Sequence, residues 1–207
     1  MTIAYFIKGL IIGFSVAAPV GPIGVLTIKR TLSEGRTAGF VTGLGAAFAD
    51  SLYGVVAGFG LSAISSFLLT HEFWIKLIGG LFLLYLGVKS FMAKPASTAA
   101  NVDSKGLFNH FISTFFLTVS SPATILSFVA IFTGLGLGTS QTDYATSFTL
   151  VVGVFLGSAL WWLILSSIMA YFQSKISSDK LIWINRFSGL IILSFGIFAL
   201  YSCWILK

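Results

Sequence analysis

The chain has 207 residues, of which 57% are apolar and 9% charged, with a mean hydropathy of +1.00 and a formal net charge of +6. A soluble domain carries about 25% charged residues, and a chain this short has too little interior to hide so much apolar surface from water, so composition excludes a soluble protein and indicates an integral membrane one. The single cysteine, Cys203, excludes an internal disulfide, and the basic residues fall between apolar runs, where they orient a membrane protein instead of gripping nucleic acid.

A helix needs about 20 apolar residues to cross the hydrocarbon. Six runs reach that length, at about 3–28, 38–61, 73–92, 108–133, 145–171 and 184–206. The first resembles a signal peptide, but the apolar run continues past the VAA before Pro19 and the segment recurs later, so no cleavage is expected. It contains SVAAPVGPIGV at 15–25. Proline has no N–H and clashes with the carbonyl four residues back, so Pro19 frees the carbonyl of Ser15 and Pro22 that of Ala18. Gly21 and Gly24 permit conformations and close approaches that other residues forbid. Bare carbonyls survive in a membrane only when buried in protein or lining a wet cavity, and the half-helix ends at such a break hold charged groups. A simple packing kink is the alternative.

The second run holds Asp50, while Glu34, Glu72, Asp103, Asp143 and Asp179 fall in loops or at span ends. Asp50 lies about 21 Å along a helix from Arg36. Burying a charge there costs about 3 kcal/mol, which makes Asp50 a candidate to carry a proton or meet a cationic substrate; a hydrogen-bonded structural role is the alternative. Tyr53 shares its helix face and serves Asp50, the substrate or an interfacial belt. No basic residue is expected at comparable depth. The segment 93–106 is polar and reads as a linker.

The fourth run carries LTVSSP, in which Pro122 frees the carbonyl of Thr118 beside Ser120 and Ser121. In the fifth, Trp161 and Trp162 lie away from a belt position, and Trp161 is a candidate to face a pathway. Glycines four apart (Gly9–Gly13, Gly39–Gly43, Gly54–Gly58 and Gly153–Gly157) suit close helix packing.

The two halves resemble each other. WIKLIGGLFLLYLGVKSF from Trp74 matches WINRFSGLIILSFGIFAL from Trp183, FSVAAP matches LTVSSP, and GAAFADSLY matches GVFLGSALW, pairing Gly45 with Gly153 and Asp50 with Ser158. Each half has an odd number of spans, so the copies are expected upside down to each other, a plan that recurs in secondary transporters. The expectation is an all-α membrane domain of six transmembrane helices as two inverted three-helix repeats, 1–92 and 107–207, with proline-broken first and fourth helices joined by a cytoplasmic linker. Basic residues divide nine to three between the two sides, which puts both termini outside the cytoplasm.

The run GPIGVLTIKRTLSEGRTAGFVTGLGAAFADSLYGVVAGFGL, residues 21–61, resembles the N-terminal signature of the LysE/RhtB exporters through Gly21–Pro22, Gly35–Arg36, Gly39, Gly45 and Asp50, with weaker matches in Pro122, GSALWW and RFSGLIILSFG. The chain departs from the family pattern at Val20, Ile23 and Ser121. The resemblance implies a six-span protein of the bacterial inner membrane that exports amino acids or related small metabolites, driven by the proton gradient, with no cofactor. The pathway is expected at Ser15, Pro19, Gly21, Pro22, Asp50, Tyr53, Thr118, Ser120, Ser121, Pro122 and Trp161. The partners are an amino acid, protons and lipid, and a homo-oligomer is left open. A divalent-cation exporter is the rival, but hard cations need several oxygen ligands, and the spans hold one acid. A non-transporting scaffold would tolerate changes at Asp50 and the prolines. An enzyme is not expected, since no HExxH or close Ser/His/Asp set occurs in the spans.

Overall fold

The computed structural model describes residues 2–19, 21–58, 70–93, 104–121, 124, 127–128, 144–173 and 178–205. Among these residues there are seven helices and no strand: α1 (Thr2–Ala17), α2 (Pro22–Glu34), α3 (Arg36–Gly58), α4 (Glu72–Phe91), α5 (Ser104–Val119), α6 (Tyr144–Gln173) and α7 (Ser178–Ile205). Four of them, α3, α4, α6 and α7, are long and apolar enough to cross a bilayer, and α1 with α2 makes a fifth if the pair is one span. The chain is a multi-pass, all-helical membrane protein. Most of the expected fourth span beyond Ser121, Pro122 included, lies outside the described residues.

The first apolar run is two helices. α1 stops at Ala17 and α2 starts at Pro22, at an angle of 80°. Pro19 cannot donate to the turn before it, and Pro22, at the start of α2, has the φ a new helix needs. Sixteen residues of α1 make about 24 Å, short of a hydrocarbon core of ~30 Å.

One expectation needs correction. Lys29 and Arg30 fall between the first two expected spans, 3–28 and 38–61, which predicts a basic loop, but both are helical in α2, and Arg30 is only 6% exposed. Basic residues after an apolar run usually mark a loop; here the break restarts the helix and carries them back among the other helices. Gly35 alone then separates α2 from α3. Its φ of 98° and ψ of 171° belong to a region essentially restricted to glycine, and its N–H donates to the Thr31 carbonyl at 3.0 Å.

α1 crosses α6 backbone to backbone. A Cβ on Gly9 or Gly13 would overlap the carbonyl of Leu150 or Val154, and one on Gly153 or Gly157 that of Phe6 or Leu10. Gly45 brings α3 just as close to Phe111 of α5. Gly54 differs, since its nearest neighbour, Val154, is at an ordinary 3.6 Å. Between α4 and α7, Gly80 faces Leu200 and Gly189 faces Phe91, while Gly87 faces Leu193 and Gly196 faces Leu84. The outward faces are apolar: Ile3, Ile7 and Ile11 on α1, and Leu156, Leu160, Ile164 and Ile168 on α6, each set spaced by four. Such stripes suit contact with lipid chains.

Candidate functional site

The break between α1 and α2 borders a cavity of about 540 Å³. Pro19, Gly21 and Pro22 come to its wall from the break, Asp50 from α3, and Thr118, Ser120 and Ser121 from the end of α5. Gly79 and Leu83 of α4, Phe195 and Ser202 of α7 and Trp162 of α6 are also among its lining residues. A Cβ on Gly21 would meet nothing within 4 Å, so this residue borders open space. The first turn of α2 has no side-chain cap, which leaves its N–H groups and their partial positive charge for other acceptors.

Asp50 is 3% exposed. Its Oδ2 accepts a hydrogen bond from Ser158 Oγ at 2.7 Å, and Ser158 Oγ accepts one from Trp162 Nε1 at 3.2 Å. Ser158 and Trp162 are one turn apart on the buried stripe of α6 that also includes Leu150 and Val154. Among the described residues no cation pairs with Asp50. An isolated buried charge is costly, so a carboxyl held this way is suited to exchanging a proton or meeting a cationic group.

The other expected pathway residues lie elsewhere. Tyr53 is buried outside the cavity wall, where its hydroxyl donates to the Val119 carbonyl at 2.6 Å and its ring stacks on Phe128 at 5.7 Å. It caps the end of α5, where the Ser121 N–H also donates to the Thr118 carbonyl at 3.0 Å. Ser15 is exposed because it continues the outward stripe of Ile3, Ile7 and Ile11. Trp161 packs edge-on against Phe14 at 5.4 Å, so its neighbour Trp162 is the tryptophan in the wall. The spacing of four was the signal that separates these pairs.

A second cavity, of about 820 Å³, is lined by Lys29, Arg30, Glu34, Lys89 and His110, and Ser120 belongs to both walls. An apolar cluster stands between the two: Leu83 and Leu117 face the first cavity, Leu26 and Leu86 the second. Arg30 anchors α2 from inside. Its Nη1 donates to Thr42 Oγ1 at 3.1 Å, Thr114 Oγ1 at 3.1 Å and the His110 carbonyl at 3.3 Å, and its Nη2 to Ser113 Oγ at 3.0 Å. Glu34 Oε2 lies 2.6 Å from His110 Nε2. Sequence reasoning missed this cluster; the polar pair Ser113–Thr114 inside an apolar run was the one available hint.

The family model described as LysE type translocator matches residues 14–203. The chain is 25% identical over 201 residues to the "Putative amino acid efflux protein YcgF" of Bacillus subtilis strain 168, with 95% of each chain covered. It is 30% identical over 189 residues to the "Uncharacterized membrane protein YrhP" of the same organism, covering 84% of this chain and 87% of that one. A third relative, the "Uncharacterized membrane protein YahN" of Escherichia coli K12, is 28% identical over 144 residues, covering 68% of this chain and 64% of YahN. No solved structure matches the chain.

Proposed function

The chain belongs to the LysE type translocator family, and from that premise we propose that it is a secondary transporter that exports amino acids or related small metabolites from the bacterial cytoplasm by proton antiport. The observation that carries this reading is the Asp50 carboxyl, buried in the wall of a cavity that opens at a broken helix. The printed name of YcgF supports efflux and the amino-acid class of substrate. In this reading the substrate sits between Pro19, Gly21 and Pro22 on one side and Thr118, Ser120 and Ser121 on the other, and Asp50 carries the exchanged proton. Pro122, expected from the sequence to break the second pathway helix, belongs to the same proposal. Tyr53 and Trp161 support the pathway walls from behind, whereas Ser15 faces outward and contributes to the pathway only through the break that follows it.

We further propose six spans arranged as two inverted three-helix repeats in one membrane domain, 1–92 and 107–207, with both termini outside the cytoplasm. The α4–α7 contacts support the repeat. Gly80–Leu200 becomes Gly189–Phe91, and Gly87–Leu193 becomes Gly196–Leu84, when the partners are exchanged at the offset of 109 that relates Trp74 to Trp183. Such reciprocity is what a two-fold axis produces. Asp50 and Ser158, paired by the repeat, hydrogen-bond to each other, as residues beside such an axis do. The remaining helices agree, because α1 lies on α6 and α5 lies on α3.

The test is Asp50→Asn. It should insert and fold but lose export driven by a proton gradient in membrane vesicles. Unchanged gradient-driven efflux in this variant would remove Asp50 from the coupling step.

A further inference from the structure

The second cavity holds a buried cation that the export reading does not use. Arg30 is 6% exposed, yet every acceptor around its guanidinium is neutral: three hydroxyls and one carbonyl. Lys29, one residue before it, donates to Ser90 Oγ at 3.2 Å. Lys89 lies in the same wall, with its ammonium over the Tyr85 ring. Among the described residues neither Lys29 nor Arg30 forms a close ion pair with a carboxylate, although both feel the charge of Glu34. Glu34, the one acid among the described residues of this wall, is hydrogen-bonded to His110 and is shared electrostatically with Arg30 and Lys29. Three cations thus face one acid that is already paired. Cations withdrawn from water that outnumber their counter-ions are costly, and a cluster in which one carboxylate is shared by several cations suits a further oxyanion, which Lys ammonium and Arg N–H groups bind strongly.

We propose that the second cavity is a docking site for the carboxylate of the exported amino acid, held by Lys29, Lys89 and the edge of Arg30. The site lies on the far side of the Leu26–Leu83–Leu86–Leu117 cluster from Asp50, so the substrate binds here through its acid group before it meets the first cavity. This rests on the export reading for the identity of the ligand. A phospholipid headgroup offers a similar oxyanion and is the competing occupant to be tested.

Asn109 lines the cavity without holding Arg30 and serves as the reporter. The full chain carrying Asn109→Cys and Cys203→Ser is placed in phosphatidylcholine nanodiscs and labelled with a water-soluble thiol reagent. The probe is an equimolar mixture of L-alanine, L-leucine, L-threonine, L-lysine and L-glutamate, compared with the matching amino-acid amides. The acids should slow labelling and the amides should not. Adding Lys29→Gln should weaken that protection roughly tenfold, the loss of one contact to a charged group, and Lys89→Gln should act in the same direction. Arg30 is left intact because it also ties α2 to α3 and α5.

Equal protection by amides, no protection by any acid, or a reporter that never labels would overturn the proposal. So would shielding by phosphatidylglycerol nanodiscs that persists without amino acid and is lost in Lys29→Gln, which identifies the lipid phosphate as the occupant. Asp50→Asn should keep the protection while losing export. Protection without gradient-driven export in the otherwise unaltered chain would leave the site standing and end the export reading; export without protection would do the reverse.

Discussion

Tyr53 shows how one side chain separates support from chemistry. Its hydroxyl caps the Val119 carbonyl at 2.6 Å, at the end of α5. Removing one partner from a buried pair leaves the other unsatisfied, at a cost of about 1–3 kcal/mol. Tyr53→Phe should therefore lower thermal stability in detergent by that order while the folded fraction still exports. Lost export at unchanged stability would instead make Tyr53 a substrate contact. Periodicity made part of this scale legible: Ser15 follows the Ile3–Ile7–Ile11 stripe outward, and Trp162 follows Ser158 inward. Arg30 was not legible in that way. Its partners Thr42, Ser113 and Thr114 are 12, 83 and 84 residues away, so only the folded chain brings them to it.

Among the elements, the α1–α6 crossing and the α2–α3 corner depend on glycine for different reasons. At the crossing there is no room for a Cβ, so Gly13→Ala or Gly153→Ala should force the backbones apart and cost about 1–3 kcal/mol, the price of overpacking. Gly54→Ala is the matched control; with Val154 at 3.6 Å it should be nearly silent. A melting series in detergent compares them directly, and equal shifts would contradict the packing described. At Gly35 there is room but no allowed conformation. Gly35→Ala should cost about 1–3 kcal/mol through strain at φ 98°. Proline and glycine content made the break in the first span readable. Its angle of 80° and the single-residue corner were not, because composition marks where a helix stops but not which way the next one points.

Across the whole molecule, hydropathy carried most of the reading. A chain with 9% charged residues had to be membrane-embedded, and its apolar runs overlap the long helices. Sidedness is still a matter of charge counting, and it yields a direct test. Periplasmic reporter fusions at Met1 and Lys207 should both be active, and one active with one silent fusion would contradict an even number of spans. The α4–α7 interface adds a mechanical point. Exchanging Gly87–Leu193 for Gly196–Leu84 returns a glycine against a leucine side chain and its backbone nitrogen, and exchanging Gly80–Leu200 for Gly189–Phe91 returns a glycine against a large apolar residue. A seam of that kind has no built-in direction of slip. Tilting either helix against the other breaks and makes like contacts, so under the proposed export reading the choice between the two tilts falls to the solutes bound on either side.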